Sequence, residues 1–371
     1  MSLPTNFFIG RGAADPLKDL PGESGRLFVT TSDAVFELNT SNFTGSVLST
    51  SSQGTDANFP AQMIDTMYDS NGVGWIITHR GGEIQACKLN DRTNVVATYR
   101  GVNSRALGVL RNGILLVATD SSQQIRSYTL NTNGTFTHVA TYQDSSVTSA
   151  QCIISPPNFS SSNLYDGSNL GDYTGSSCIA VVCGNQYAKK LIVSSTGEFT
   201  ASSERYVGSP SQATYFPNGY ILLVNNGGDV EVLNQLMTRV QQGQSGLGEP
   251  GSITMGADGR PYIGFSNYRL SKMGSGTANS FSNESDSFTG DTATAPDYPT
   301  GMVAMGDYLY YTGYQNSTSW GYVKRHPLNT SLAYGNLVQS TNYQNNYSLG
   351  LTTGRPHWAN VDENFLVGSG W

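Results

Sequence analysis

The chain has 371 residues, only 13% of them charged, and a net charge of −7. That charged share is about half the usual one for a globular domain, so a surface rich in Ser, Thr, Asn and Gly keeps the chain soluble with hydroxyls and amides, a composition common in β-rich extracellular and particle-borne proteins. The longest cationic runs are the pairs Lys189-Lys190 and Lys324-Arg325, too little clustered positive charge to displace counterions from DNA or RNA, which are excluded as main partners.

The first element is an arm, residues 1–24, which opens MSLPTNFFIGRG. Phe7, Phe8 and Ile9 form an apolar triplet that Gly10, Arg11 and Gly12 break off. A secretory signal needs a basic start and roughly 7–15 apolar residues, and no Lys or Arg precedes Phe7. No run approaches the roughly 18 apolar residues of a membrane span. The expectation is a protein made in a cytoplasm, with no membrane insertion. Pro4, Pro16 and Pro21 keep the arm extended.

From residue 25 on, helical periodicity is nearly absent and a hairpin recurs. Its copies are RLFVTTSDAVFELN, GWIITHRGGEIQACKLN, ILLVATDSSQQIRSYTLN, CIAVVCGNQYAKKLIVS and YILLVNNGGDVEVLN, with weaker versions in PYIGFSNYRLSKMGS and YLYYTGYQ…WGYVKRHPLN. Each begins as a near-continuous apolar strand, turns on Gly, Ser, Asn or Asp, and returns as an alternating strand. Turn signals such as YDSNG, LRNG, FPNG, GADG and MGD precede the hairpins, and polar strands such as NVVATYRG, FTHVATYQD and EFTASSERY follow them. Four strands of rising exposure, repeated at roughly 40–65 residues, are the pattern of a β-propeller blade. The predicted fold is all-β: a seven-bladed β-propeller over residues 25–371 with an extended N-terminal arm. Six or eight blades, or a β-sandwich, are the alternatives. The C-terminal NFLVGSGW reads as the strand that closes the ring, with residues 364–369 beside the strand that begins at Leu27; closure removes free edges.

Two polar insertions break the rhythm, at residues 155–177 and 275–300. Loops this long are functional or flexible. DGSNLGD (Asp166, Asn169, Asp172) and NESDSFTGD (Asn283, Glu284, Asp286, Asp291) carry oxygen donors at short spacing, but neither has the EF-hand pattern, so both read as solvated turns. No metal site and no cofactor is expected. The cysteines, Cys87, Cys152, Cys178 and Cys183, form no Cys-x-x-Cys and read as small buried hydrophobes. Cys178 and Cys183 are an odd number apart and would face opposite sides of one strand; a Cys152–Cys178 pair on adjacent strands is the geometrically open alternative. His79, His138, His326 and His357 each stand alone in sequence. No strand-to-helix nucleophile elbow and no Walker-type loop occurs, so no catalytic residue is assigned. Sequence alone cannot place two of the 27 acids across a cleft as glycoside hydrolysis requires.

Aromatic clusters give the better binding lead. Tyr311, Tyr314, Trp320 and Trp358 are candidates for stacking on a host-surface glycan, against the plainer reading of packing within blades. The apolar triplet is the second lead. An extended arm with Phe7, Phe8 and Ile9 beside Arg11 is most simply explained by docking on another subunit or protein; docking on its own ring is the alternative.

The opening SLPTNFFIGRG, followed by a Ser/Thr/Asn/Gly-rich β-protein, resembles the N-termini of tail-fibre-like and other virion proteins of tailed bacteriophages, especially marine cyanophages. The match covers about a dozen of 371 residues. It implies a non-enzymatic virion component of the tail, baseplate or fibre region. The arm would join it to other virion proteins and self-copies, and the propeller would face neighbouring subunits or the host surface in host attachment. The alternatives are a carbohydrate-binding receptor-recognition propeller and a glycan-cleaving enzyme.

Overall fold

A computed structural model describes residues 26–31, 34–40, 44–50, 64–80, 82–89, 97–100, 104–110, 112–119, 123–156, 178–216, 219–244, 248–256, 260–265, 269–272, 286–289, 297–305, 307–315, 320–328, 339–343 and 348–353. These residues form seven four-stranded antiparallel sheets, taken here as blades 1 to 7. From innermost to outermost, blade 1 is Ser348–Thr353, Arg26–Thr31, Ala34–Asn39 and Thr44–Thr50, and blade 2 is Ile64–Tyr68, Gly74–Arg80, Glu83–Lys88 and Ala97–Arg100. Blade 3 is Ser104–Val109, Leu115–Thr119, Gln124–Leu130 and Phe136–Gln143; blade 4 is Cys152–Ile154, Cys178–Cys183, Tyr187–Val193 and Phe199–Tyr206. Blade 5 is Pro210–Tyr215, Ile221–Asn225, Asp229–Leu233 and Arg239–Gln244; blade 6 is Pro250–Met255, Pro261–Phe265, Arg269–Lys272 and Asp286–Thr289. Blade 7 is Asp297–Met305, Tyr308–Gln315, Trp320–Pro327 and Gln339–Tyr343. Each innermost strand touches the next, and the last touches the first, so the sheets form a closed β-propeller ring.

The recurrent hairpins are the second and third strands of the blades. The second strands CIAVVC, LLVAT and PYIGF are buried along their whole length, because both faces of a blade meet a neighbour. Blade 4 shows the consequence of strand parity. Ala180 and Val182 pack with Leu116 and Ala118 of blade 3, while Ile179, Val181 and Cys183 pack with Ile221 and Leu223 of blade 5. Burial fades outward: the outermost strand FTHVATYQ is largely exposed.

Closure differs from expectation in its partner. Arg26–Thr31 pairs with Ser348–Thr353, Val29 opposite Leu351, while residues 364–369 lie outside the described set. The closing strand reads SLGLTT, with no continuous apolar run to mark it. The reason is crowding at the axis. A Cβ on Gly301 would sit 3.0 Å from the Leu351 backbone nitrogen, and one on Gly108 2.7 Å from the Ile153 carbonyl oxygen. Innermost strands are therefore selected for small residues as much as for apolar ones.

The insertion at 275–300 is also not one loop. Asp286–Thr289 completes blade 6 against Arg269–Lys272, and Asp297 already belongs to the first strand of blade 7.

The seams between blades share a device. The turn after a third strand presents backbone carbonyls, and a side chain of the preceding blade donates to them. Arg26 Nη2 donates to the Leu89 carbonyl at 2.6 Å, Lys190 Nζ to that of Gln235 at 3.1 Å, Lys272 Nζ to that of Leu328 at 3.2 Å, and Arg325 Nη1 to that of Thr40 at 2.7 Å. Asn112 Nδ2 does the same for Val193 and Ser194, at 3.2 and 2.9 Å. With cationic donors each such bond contributes about 1.5–3 kcal/mol. Where blade 2 meets blade 3, the Trp75 ring lies instead on Gly134, where a Cβ would come within 2.5 Å of it.

Gly184, next to Cys183, approaches backbone just as closely: a Cβ there would sit 2.0 Å from the Ser146 carbonyl oxygen. Gly184→Ala is expected to cost about 1–3 kcal/mol by overpacking, read as a lower urea midpoint with an unchanged far-ultraviolet spectrum.

Candidate functional site

The innermost strands build the one shared surface at the axis. Neighbouring innermost strands touch: Val109 N donates to Asp65 Oδ2 at 3.0 Å, and Gln212 Nε2 to the Gly251 carbonyl at 3.4 Å. The same strand order repeats around the closed ring, which sets the first residues of the innermost strands at one end of it. Five of the innermost strands shift register within their first residues, in blades 1, 3, 5, 6 and 7. Such a bulge re-aims side chains. It follows Pro210, Pro250 and Pro299; proline lacks the ladder donor and is therefore confined to strand starts and bulges.

The side chains at this mouth are mostly neutral. Arg105, Gln151 and Glu249 are exposed, while Cys152, Gln212 and Thr300 are half-buried. Thr300 Oγ1 lies 3.3 Å from Thr312 Oγ1. Amides, hydroxyls, one guanidinium and one carboxylate can hydrogen-bond a peptide backbone or a polyol. Apart from Cys152, sequence reading did not single these residues out. The available signal was the repeated SPSQAT, EPGSIT and YPTGMV at 209–214, 249–254 and 298–303.

The aromatic candidates fare differently. Tyr311 is 2% exposed and packs with Tyr262, Leu270 and Met302 between blades 6 and 7. Its ring stacks on His326, centroids 5.9 Å apart and planes 12° apart. This corrects the glycan assignment for Tyr311: a ring enclosed by two blades offers no face to a sugar. Its neighbour Tyr310 turns to the other face and packs with Leu27 and Val29 of blade 1; burial raises its phenol pKa. Tyr314 and Trp320 lie on the second and third strands of blade 7, Tyr314 opposite Gly321 and Gln315 opposite Trp320. Trp358 and the arm residues Phe7, Phe8, Ile9 and Arg11 lie outside the described residues, as do Asp166, Asn169, Asp172, Asn283, Glu284 and Asp291. Asp286 opens the outermost strand of blade 6, opposite Lys272.

Buried and half-buried charges sit at the seams. Lys189 Nζ reaches Asp144 Oδ2 at 3.1 Å and Glu204 Oε2 at 2.7 Å, and stands 5.6 Å from the Tyr142 ring centroid. The Ser146 backbone N–H, donating to Asp144, holds that carboxyl far below the usual range, with Lys189 and Tyr142 adding to the effect. Burial opposes charge on Lys189, yet its bonds to Glu204, Tyr142 and Asp144 leave its pKa above the ordinary value. Glu231 is pushed up by burial, against the pull of Arg239 and Arg205. Asp69 accepts from the backbone N–H groups of Asn71 and Val73 and from Trp75 Nε1. His79 and His326 are buried, and His138 Nε2 lies 3.0 Å from Thr141 Oγ1. Among the described residues, no three His, Cys, Asp or Glu side chains gather as a metal site would need.

Cys87, Cys178 and Cys183 are buried, as small hydrophobes would be, and the alternative Cys152–Cys178 pair does not form. Cys152 stands opposite Cys183, and Cys178 stands opposite Val193. Residues 155–177 separate the first two strands of blade 4, and sequence could not set the register across them.

No family model and no curated protein matches the chain. Solved structures do. A functionally unknown protein from Desulfotomaculum acetoxidans superposes with a TM-score of 0.65 at 14% identity, covering 90% of this chain and 100% of its own. The WD40 β-propeller domain of Doa1 gives 0.53 at 10% identity, covering 79% of this chain and 88% of that one. Virginiamycin B lyase from Staphylococcus aureus gives 0.50 at 14% identity, covering 76% and 84%. At such identities the likeness carries the propeller fold, and a fold does not fix a function.

Proposed function

We propose that this chain is a non-enzymatic structural component of a tailed-phage particle, in the tail, baseplate or fibre region. Residues 1–24 anchor it to other virion proteins or to copies of itself, and the ring faces its neighbours or the host surface. The observation that carries the non-enzymatic reading is where the charges go. Arg26, Lys189, Lys190, Lys272 and Arg325 each bond to a carboxylate or a backbone carbonyl across a seam or within a blade. These five cations are engaged in holding the ring together. The particle reading rests on the resemblance of SLPTNFFIGRG and on the hydroxyl-rich, weakly charged composition.

The test is light scattering after size exclusion, comparing residues 1–371 with residues 21–371. The full chain is expected to form a defined oligomer and the shortened chain a monomer with the same circular dichroism. Equal masses would remove the arm as a self-assembly hook. The carbohydrate-binding propeller would then gain, and a glycan array would be the next step.

A further inference from the structure

The cysteine pair at the ring mouth has chemistry of its own. Cys152 opens the innermost strand of blade 4 and Cys183 ends the second, directly opposite it on the antiparallel ladder. Opposed residues on such a ladder have Cα atoms about 4.5–5.5 Å apart, inside the roughly 4.4–6.8 Å that a disulfide spans. All four cysteines are thiols in this structure. Neither of the other two competes. Cys178 is at the far end of the strand from Cys183, about 17 Å away at the usual rise per residue. Cys87 belongs to the core between blades 1 and 2.

Access is one-sided. Cys183 is fully buried, whereas Cys152 is half-buried and follows the exposed Gln151. We propose that Cys152 and Cys183 form a cross-strand disulfide site, oxidised by small disulfides that reach Cys152 from solvent. The Cys152 thiolate attacks the small disulfide and expels one thiolate, leaving a mixed disulfide on Cys152. The Cys183 sulfur then attacks the Cys152 sulfur, its proton leaves with the second small thiol, and the intramolecular bond forms. In sum, two protein thiols and one small disulfide give one protein disulfide and two small thiols. Hydrogen bonding with Cys152 and burial hold the Cys183 pKa well above the ordinary thiol value, so Cys152 is the entry point and the second step is the slower one. The bond would tie the innermost strand of blade 4 to the second and close the segment that carries the polar insertion. This inference does not depend on the particle reading.

The test uses the full chain, incubated with oxidised glutathione at pH 8, denatured, and alkylated with N-ethylmaleimide. The expected result is loss of two of the four maleimide additions per chain, a linked peptide joining Cys152 to Cys183, and a rise in thermal midpoint that dithiothreitol reverses. Cys183→Ser is expected to stop at one glutathione on Cys152, and Cys152→Ser to take none. Four additions retained, a stable glutathione adduct on the unaltered chain, linkage to Cys87 or Cys178, or no adduct on folded Cys183→Ser would each overturn the proposal.

Discussion

Replacing Trp75 by alanine is expected to lower the unfolding free energy by about 3–5 kcal/mol. The indole is fully buried on the second strand of blade 2, and three groups depend on it. Its Nε1 donates to Asp69 Oδ2 at 3.1 Å, and Asp69 holds the turn into the strand through the backbone N–H groups of Asn71 and Val73. The Lys88 ammonium stands 5.4 Å from the ring centroid. Gly134 of blade 3 rests on the ring and has no side chain that could fill the space. The cavity left by alanine therefore cannot collapse easily. Trp75→Phe keeps most of the apolar area but leaves Asp69 Oδ2 without its indole donor, and about 1–3 kcal/mol is expected. Urea titration of both variants checks this. A loss below about 1 kcal/mol for alanine would mean that the blade 2–3 seam is held elsewhere.

Stability is expected to fall by about 3 kcal/mol between pH 6.5 and pH 4 on account of His326 alone. The imidazole is fully buried. Burial first, and the charge of Lys324 second, lower its pKa from 6.5 to about 4. Well above pH 6.5 the ring is neutral in both states and adds no slope. As the pH drops through the window, the unfolded chain takes up a proton that the folded ring refuses, so unfolding gains about 1.4 kcal/mol per unit. Below pH 4 both states are protonated and this slope ends. The measurement is the urea midpoint across pH 7.5 to 4, for the unaltered chain and for His326→Phe, which preserves the stack on Tyr311. The variant should show a shallower decline. Parallel curves would assign the acid sensitivity to other groups.

Much of the fold is written in local patterns. The hairpin from CIAVVC to KKLIV is legible because a second strand buried on both faces must be continuously apolar, while a third strand toward the rim can alternate. The turn signals follow from backbone geometry: Gly134 and Gly219 adopt φ of +84° and +85°, which side chains resist. Four strands per unit, the inward-to-outward gradient and the low charge were all present in the sequence for these reasons.

What was not legible depends on neighbours distant in sequence. Ser348–Thr353 closes the ring, yet its sequence is shaped by crowding against Gly301 and its neighbours rather than by partition from water, so no apolar run announces it. Tyr310 and Tyr311 look like one exposed aromatic cluster, and alternation does send them to opposite faces. In a propeller both faces are interior, so parity could not say that neither ring meets solvent. The Cys152–Cys183 pairing was hidden because the register across residues 155–177 is set by the sheet, not by the loop. The sequence by itself determined which segments become strands, since that depends on burial and turn chemistry within a blade. Which blade each side chain meets, and which residues share the ring mouth, only the closed tertiary structure decided, because closure joins residues separated by up to the length of the chain.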